Sequence, residues 1–236
     1  MSKYQYKNLL MVIFLPILIT IYACKENQTE PVDKSAFYYE GKQYHTVVIG
    51  NQTWIKENLN VGTMIQGNVE QTNNGVIEKY CLNNDESNGD KYGAFYQWAE
   101  AVQYTNSASN TDVPNPAFTG KIQGICPSGF HIPTVDEINT LREAIGWDAN
   151  SLKALGQGYS GGEGTNKTNF SALLTGFRNS SGFYDYVGDH AFYWSTGDEM
   201  IKSNSAFTMC LNSYDNKVEL FDYYKVDGFN VRCIKD

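Results

Sequence analysis

The clearest hydrophobic pattern in the chain lies in the segment Gly124–Gly146. Its apolar side chains recur at intervals of three and four residues and form one helical stripe: Ile138, Leu141 and Ile145. Thr134 followed three residues later by Glu137 is a capping box, in which each side chain accepts the backbone N–H of the other residue. Gly146 then supplies a stop signal. These positions predict a helix that begins after Thr134 and ends near Gly146.

A second helical pattern spans Lys91–Gln103, where the apolar residues fall on one face: Tyr92, Phe95, Trp98, Ala99 and Val102. The segment Val61–Cys81 is polar and punctuated by Gly and Asn, so we expect a loop with one short strand at Val76–Tyr80. Two further stretches, Tyr104–Thr119 and Gly156–Asn169, are rich in Ser, Asn, Pro or Gly and are typical of loops. The chain therefore contains two predicted helices separated by long irregular connections.

Short runs of β-branched and aromatic residues occur at both ends of the chain. Phe37–Lys56 predicts two or three strands with a turn at Gly50-Asn51. Near the C-terminus, four runs predict an antiparallel meander: Phe192–Thr196, Ala206–Leu211, Val218–Asp222 and Phe229–Cys233. In the last run, alternation places Phe229, Val231 and Cys233 on one face and leaves Asn230 and Arg232 on the other. A sheet that joins strands from both ends would bring the termini side by side.

The N-terminus has the pattern of a secretory signal. Lys3 and Lys7 precede the apolar run Leu9–Tyr22, whose 14 residues are fewer than the roughly 20 that a transmembrane helix needs. Ala23-Cys24 resembles a lipobox, which predicts that Cys24 is lipidated and becomes the new N-terminus. An uncleaved anchor and plain secretion are the alternatives. Lys25-Glu26 is similar to the export signal of surface lipoproteins in the Bacteroidetes.

These signals divide the chain into three parts. Residues 1–23 are a predicted lipoprotein signal peptide, residues 24–35 a polar, flexible tether, and residues 36–236 one folded domain. We expect an outer-membrane lipoprotein that is exposed at the cell surface and is anchored in the membrane by its N-terminal lipid.

Charge limits the partners that the domain can take. The full chain has 18 basic and 26 acidic residues, and loss of residues 1–23 would leave 16 basic against 26 acidic, a net charge of −10. Such a surface disfavours nucleic acid and anionic lipid as partners.

Several sequence patterns resemble catalytic or metal-binding motifs, but the residues around them do not match what those motifs require. Gly158-Tyr159-Ser160-Gly161-Gly162 matches G-x-S-x-G, but a nucleophile elbow needs a strand before the Ser and a helix after it, and neither pattern is present. The histidines at positions 45, 131 and 190 are dispersed without metal-ligand spacing, which argues against zinc. Between Phe130 and Ile132, His131 is more typical of a hydrogen-bonded structural residue. We therefore expect no catalytic residue and no resident cofactor.

Calcium is the one metal that the pattern leaves open. Asn83–Asp90 resembles a calcium loop, but the EF-hand spacing would put Phe95 where a bidentate Glu is required. Val113-Pro114-Asn115 is close to a sugar-binding E-P-N motif but lacks its acid. A structural calcium site of another kind remains an alternative to ordinary solvated turns.

Five motifs in chain order resemble the Fibrobacter succinogenes major paralogous domain. They are WIKENLN at 54–60, YGAFYQWAEA at 92–101, CPSGFHIPT at 126–134, FYWST at 192–196 and GFNVRCIKD at 228–236. This resemblance implies a C-type-lectin-like α+β domain with two helices and a mainly antiparallel sheet that joins the N- and C-terminal strands. It implies a place on bacterial surface proteins but no settled activity. The same fold houses formylglycine-generating oxidases, yet the close cysteine pair of those enzymes is missing here, so the chain is not expected to be an enzyme.

Four cysteines remain once Cys24 is lipidated, an even number that favours disulfides in an exported chain. The resemblance implies that Cys126 pairs with Cys233, because lectin-like domains carry their long-range bridge at these positions. Closing a loop of that length would contribute about 4–5 kcal/mol in the chain-entropy model. Cys81 and Cys210 would then form the second pair by elimination, with buried free thiols as the alternative.

A binding surface is the function that these observations favour. The chain is rich in Tyr, Asn, Ser and Gly, a composition that recognition loops use. Candidate ligand residues combine aromatic rings with amide or carboxylate acceptors in the loops of the C-terminal strands: Tyr184, Asp185, Tyr186, Asp189, Asn212, Tyr214, Asp215, Asp222, Tyr223 and Tyr224. Ordinary polar hairpin turns are the alternative.

We therefore predict a non-catalytic surface protein that binds a glycan or a surface or matrix protein, for instance an adhesin. A structural or accessory subunit of a surface appendage or envelope assembly is the other candidate.

Overall fold

The computed structural model describes residues 33–197 and 201–236. The predicted signal peptide, Cys24 and most of the predicted tether lie outside the described residues. Residues 34–236 form one compact unit that is mixed α+β and mostly β. Among the described residues, no helix is long and apolar enough to cross a membrane.

The strands in the described residues follow one another in chain order with these bounds: β1 Ala36–Tyr39, β2 Lys42–Ile49, β3 Gln52–Ile55, β4 Thr63–Met64, β5 Glu78–Lys79, β6 Phe130–His131, β7 Phe177–Arg178, β8 Tyr184–Asp185, β9 His190–Trp194, β10 Ser205–Asn212, β11 Val218–Tyr224 and β12 Ile234–Lys235. The α-helices in the same residues are α1 Glu86–Tyr92, α2 Trp98–Ala101 and α3 Val135–Ala144. Single 3₁₀ turns occur at Leu82–Asn84, Thr105–Ser107 and Ala149–Ser151.

A five-stranded sheet joins the two ends of the domain. Its strand order is β1-β2-β3-β12-β6, and all of its pairs are antiparallel. Ile234 of β12 lies opposite Trp54 of β3 on one side and His131 of β6 on the other. The strands predicted in Phe37–Lys56 are confirmed, and so is the prediction that strands from both ends join one sheet. The first and last strands are not neighbours, because β2 and β3 lie between β1 and β12.

A three-stranded antiparallel sheet, ordered β11-β10-β9, carries three of the four runs predicted as a meander. The fourth prediction, a strand at Phe229–Cys233, is wrong. Phe229 instead bridges Tyr96 in the antiparallel sense, and Asn230 bridges Tyr193 of β9 in the parallel sense. The segment bonds through its backbone to the residues before α2 and, in the parallel sense, to β9, so it does not extend the antiparallel meander.

The helix predicted after Thr134 is confirmed as α3. The Thr134 hydroxyl accepts the Glu137 N–H, and the Glu137 carboxylate accepts the Thr134 N–H at 2.9 Å. The single helix predicted at Lys91–Gln103 is wrong, because α1 ends at Tyr92 and α2 begins only at Trp98. Gly93 takes a φ of 80°, and a Cβ there would lie 2.2 Å from the Cβ of Asn58. The chain must therefore leave the helix at Gly93.

Two core clusters lie on opposite faces of β9 and β10. Phe192 and Trp194 belong to the larger cluster with Phe229, whereas Tyr193 belongs to the second with Trp54 and Ile138. Alternation along β9 thus lets one strand serve both clusters. The smaller, third cluster contains Tyr80, Leu82 and Phe95.

One of the two predicted disulfides is present in the structure. Cys126 and Cys233 form a disulfide across 107 residues, as the resemblance implied. The second pair is wrong, because Cys81 and Cys210 are buried free thiols. Cys210 lies in the larger core cluster in the middle of β10, while Cys81 is flanked by Tyr80 and Leu82 of the third cluster. The two thiols therefore belong to different parts of the core.

Candidate functional site

The structure brings five of the ten predicted ligand residues together at one end of the three-stranded sheet. They lie in the turn before β9, at the last residue of β10 and in the turn between β10 and β11: Tyr186, Asp189, Asn212, Tyr214 and Asp215. The two turns are joined by hydrogen bonds, because the Ser213 N–H donates to the Asp189 carbonyl at 2.8 Å and the Ser213 hydroxyl donates to the Asp189 carboxylate. One surface therefore combines residues more than twenty positions apart in sequence.

The remaining predicted residues lie elsewhere or point inward. The Tyr184 hydroxyl donates to the Cys81 carbonyl at 2.6 Å, and its ring packs on Phe95, so Tyr184 is structural. Asp185 accepts a hydrogen bond from Asn179. At the far end of β11, Asp222 pairs with Lys202, Tyr223 packs among core rings and Tyr224 is exposed. These five do not join the surface formed by the two turns.

Three rings stand edge to face on this surface. The His190 ring centroid lies 4.9 Å from that of Tyr186 and 5.9 Å from that of Tyr214, with interplanar angles of 80° and 76°. Tyr186 also stacks on Phe177, and His190 stacks on Phe192, which anchors both rings to the core. Tyr186 and Tyr214 nevertheless remain 54% and 48% exposed. The rings are therefore held in place while their outer faces stay open.

The turn that carries Tyr214 is fixed from both sides. Asn212 accepts the N–H groups of Tyr214 and Asp215 at its side-chain oxygen, at 3.1 and 2.9 Å, and so forms an Asx turn. Behind the turn, the buried Lys153 ammonium donates to the carbonyls of Asn212 and Asp215, both at 2.8 Å. Burial lowers the pKa of Lys153. Tyr214 is therefore presented by a rigid turn.

The G-x-S-x-G segment is the third loop at this surface, beside the two turns. A Cβ at Gly162 would lie 2.2 Å from the Ser213 carbonyl oxygen, and one at Gly158 would lie 2.1 Å from the Gly162 carbonyl oxygen. The glycines therefore allow a close backbone approach to the Ser213 turn. Tyr159 between them donates its N–H to the Ser213 carbonyl at 2.6 Å and its hydroxyl to Asp189 at 3.4 Å. Ser160 itself is exposed on the loop.

We call Tyr159, Tyr186, His190 and Tyr214 together the aromatic platform. Sequence reasoning identified Tyr186 and Tyr214 but placed Tyr159 in a loop of no assigned role and His190 among dispersed histidines. His190 joins the platform because the register of β9 with β10 places it opposite Asn212. That register cannot be read from either strand alone.

Burial and nearby acidic groups both shift the pKa values of platform residues. Burial lowers the pKa of His190, while Asp189, Glu219 and Asp215 raise it in that order of size. Burial and then Glu219 raise the pKa of Tyr214. Burial therefore favours the neutral imidazole of His190 and the protonated hydroxyl of Tyr214. The platform can stack on an apolar face and exchange hydrogen bonds at its edge.

The other residues considered for metal binding make structural contacts. His131 is fully buried, with Nδ1 2.8 Å from Asp236 and Nε2 2.9 Å from Glu137, which confirms its structural assignment. In Asn83–Asp90, Asp85 caps α1 by accepting the Ser87 N–H. Among the described residues, no three His, Cys, Asp or Glu side chains are placed to hold a metal ion together.

A second open feature is a polar cleft of about 470 Å³ beside β5. Its two lysines already have carboxylate partners, because Lys42 pairs with Asp90 and Lys79 lies 3.3 Å from Glu86. Lys79 also donates to Asn60 at 2.8 Å. Both lysines of the cleft are therefore already paired within the protein.

The residues of the five sequence motifs hold the core together and do not line the platform. Arg232 is buried and donates to the Asn58 side chain from Nε and Nη2, at 3.1 and 2.6 Å. Asn230 donates to the Ala94 carbonyl at 2.8 Å and accepts from Thr175. These motif residues therefore stabilise the core and are not part of the platform.

The sequence profile of the Fibrobacter succinogenes major domain matches residues 47–235 of the chain. No curated protein and no solved structure matches it.

Proposed function

Because the chain belongs to the Fibrobacter succinogenes major domain family, we propose that it is a non-catalytic, lipid-anchored surface protein that binds a glycan through the aromatic platform. The observation that carries this proposal is the convergence of three separate loops on Tyr159, Tyr186, His190 and Tyr214. Exposed rings that are rigidly held stack on the apolar face of a sugar, and nearby amide and carboxylate groups bond its hydroxyls.

A C-type-lectin-like arrangement is part of the proposal. Two features support it: the Cys126–Cys233 disulfide ties the segment before α3 to the end of the chain, and β12 pairs with β3 near the start of the domain. Such a frame fixes loop ends, so that loops can be positioned well enough for recognition.

Three candidate nucleophiles among the described residues, Cys81, Cys210 and Ser160, lie in settings that suit a non-catalytic role. Burial raises the pKa of both free thiols, Cys81 and Cys210, and a buried protonated thiol is a poor nucleophile. Ser160 lies on a glycine-rich loop and not at a strand-to-helix turn.

The proposed location rests on the N-terminal sequence alone. Cys24 follows an apolar run and a small residue, so we propose lipidation and attachment to the outer membrane at the cell surface. Replacement of Cys24 by Ser should release the protein from the membrane fraction and remove lipid labelling. Unchanged membrane attachment, with no lipid on the wild type, would refute the anchor.

The binding proposal is tested on a panel of glycans and matrix proteins with the full chain purified in detergent. The test variant is Tyr186→Asn with Tyr214→Ala. Asn is chosen because Tyr186 has a φ of 56°, a left-handed conformation that Asn tolerates. The matched control is Tyr38→Ala, which removes a ring that is 75% exposed on β1.

Lost binding in the double variant, with an unchanged melting temperature and normal binding by the control, supports the platform. Equal binding by all three proteins would move the ligand to another surface.

A structural or accessory subunit is the second candidate, and one observation favours it. Strand β11 is an outer strand of its sheet and exposes Phe221 and Tyr224, at 40% and 61%. Unpaired edge strands with exposed aromatic residues are sites of strand addition by other chains. A partner that co-purifies from native membranes and is lost on Phe221→Lys would favour this role.

A further inference from the structure

Three lysines are buried in the described part of the chain, and one of them meets an amide side chain. Lys153 and Lys225 donate to backbone carbonyl groups. Lys79 instead donates from Nζ to the side-chain oxygen Oδ1 of Asn60 at 2.8 Å. An amine that attacked a backbone carbonyl would break the chain, whereas a side-chain amide can exchange its nitrogen and leave the chain intact. Of the three lysines, Lys79 therefore has an acyl group beside it that it can accept without chain cleavage.

The amine and the amide are buried, close together and oriented. Because a C=O bond is about 1.2 Å long, the Asn60 carbon Cγ lies within about 4 Å of the Lys79 Nζ. Asn60 Nδ2 donates to Asp90 at 3.0 Å, so the amide keeps its oxygen toward Lys79. The Asn60 N–H also donates to the Tyr44 hydroxyl at 3.0 Å, which holds the backbone in place. Reactants held in this way gain a large effective concentration.

Helix α1 brings two carboxylates to this pair. Glu86 and Asp90 are four residues apart and therefore share one face of α1. Glu86 Oε1 lies 3.3 Å from the Lys79 Nζ, while Asp90 accepts from Asn60. A Cβ at Gly89 would lie 3.0 Å from Asn60 Oδ1, so the glycine allows the helix to approach closely. The site therefore combines an amine, an amide and a carboxylate that can accept a proton.

Water reaches the two carboxylates far more than it reaches the amine and the amide. The side chains of Glu86 and Asp90 are 64% and 63% exposed, whereas Lys79 and Asn60 are buried. The polar cleft beside β5 is lined by Glu86 together with Lys79 and Asn60. The cleft gives a proton and a small leaving group a way out to solvent, while burial protects the reacting atoms from hydrolysis.

We propose that Lys79 and Asn60 react to form an isopeptide bond within the chain. Glu86 takes one proton from the Lys79 ammonium, and the free amine attacks Cγ of Asn60. A bond forms between Nζ and Cγ, and the bond between Cγ and Nδ2 breaks. Nζ passes a second proton to Nδ2, which leaves as ammonia, and Glu86 releases its proton to solvent. Nothing is oxidised or reduced, and no other reactant is needed.

The bond would tie β5 to the segment between β3 and β4. It closes a loop over residues 60–79, and a closed loop restricts the unfolded chain as a disulfide does. Unlike a disulfide, it is not opened by a reductant. The cross-link does not depend on the proposed ligand, so the two proposals can fail separately.

The experiment is peptide mapping of the full chain purified in detergent. The chain is unfolded, its free amines are acetylated, and it is then cut after glutamate. We expect residues 58–70 to remain joined to residues 79–86, with a combined mass that is lower by one ammonia molecule. Lys153 and Lys225, which contact backbone carbonyl groups, should be acetylated, and Lys79 should not.

The test variant is Glu86→Gln, which changes an exposed side chain and removes the proton acceptor. It should slow bond formation about 100-fold, so that Lys79 becomes acetylated in freshly purified protein. A cooperative melting transition shows that the variant is folded. Glu40→Gln is the matched control, because Glu40 lines the same cleft, and this variant should be joined as fully as the wild type.

Wild-type protein that releases residues 58–70 and has Lys79 acetylated as fully as Lys153 overturns the inference. A bond that joins Lys79 to a side chain other than Asn60 overturns it as well. Equal bond formation in Glu86→Gln and in Glu40→Gln overturns the role assigned to Glu86.

Discussion

The effect of Asp227 on the free energy of unfolding can be predicted from its burial. Its side chain is buried close to the end of β11, with 7% of the residue exposed. Burial raises the pKa of this carboxyl from 3.8 to about 6, against the opposing effects of the Ser180 N–H and of Arg178; Asp185 and Glu70 add to the rise. The folded protein therefore holds a proton on Asp227 in a range where the unfolded chain has released it.

The sign of the pH dependence follows from linkage. A folded pKa above the unfolded value gives a contribution that is fully present below about pH 4 and is lost as pH rises through about 6. A shift of about two pH units corresponds to about 3 kcal/mol between the protonation states. Because solvent screens part of this cost, we expect Asp227 to reduce the free energy of unfolding by about 1–2 kcal/mol at pH 7.5.

Asp227→Asn tests this directly, because the amide keeps the shape of the carboxyl and an oxygen that can accept the Ser180 N–H. Urea unfolding at pH 7.5 should show the variant about 1–2 kcal/mol more stable than the wild type, and at pH 4.0 the two should be nearly equal. The exposed Glu143→Gln is the control and should change stability by less than about 0.5 kcal/mol at either pH. An equal effect of Asp227→Asn at both pH values would refute the burial argument.

Three further predictions concern the frame of the domain. On unfolding without reductant, an alkylating reagent should label Cys81 and Cys210 alone among residues 34–236, and a third labelled position would contradict the pairing found here. Thr134→Ala should lower the free energy of unfolding by about 1 kcal/mol in urea titration through loss of the cap, and an unchanged midpoint would show that the capping box adds nothing. Gly162→Ala should cost about 1–3 kcal/mol, because its Cβ would lie 2.2 Å from a carbonyl oxygen. Ser160→Ala beside it should be neutral for stability and for any activity, and a hydrolytic activity that Ser160→Ala abolishes would overturn the non-catalytic proposal.

Local signals were enough to predict some elements. Helix α3 was predicted because its cap and its apolar stripe lie within twelve consecutive positions. The break at Gly93 could not be predicted, because it depends on contact with Asn58 and on backbone bonds from Phe95 and Tyr96 to distant segments. Nothing in the local periodicity reports those partners.

The same limit applies to the candidate site. Tyr186 and Tyr214 were predicted because each lies in a turn that the sequence marks with Gly, Asn or Asp. Tyr159 and His190 were not, because their place in the platform depends on the close approach of a glycine-rich loop and on strand register. Tyr184, which the sequence placed with them, lies outside the platform, because its hydroxyl bonds to Cys81 and its ring packs on Phe95.

Hydrogen–deuterium exchange with a bound glycan tests the central proposal most directly. The full chain is compared with and without a saturating concentration of the tightest-binding glycan from the panel. The platform account predicts slower exchange in peptides that cover residues 157–163, 184–190 and 211–217, and no change around Lys42 and Lys79. Protection confined to the polar cleft beside β5 or to the edge of β11, with the three platform loops unchanged, would contradict it.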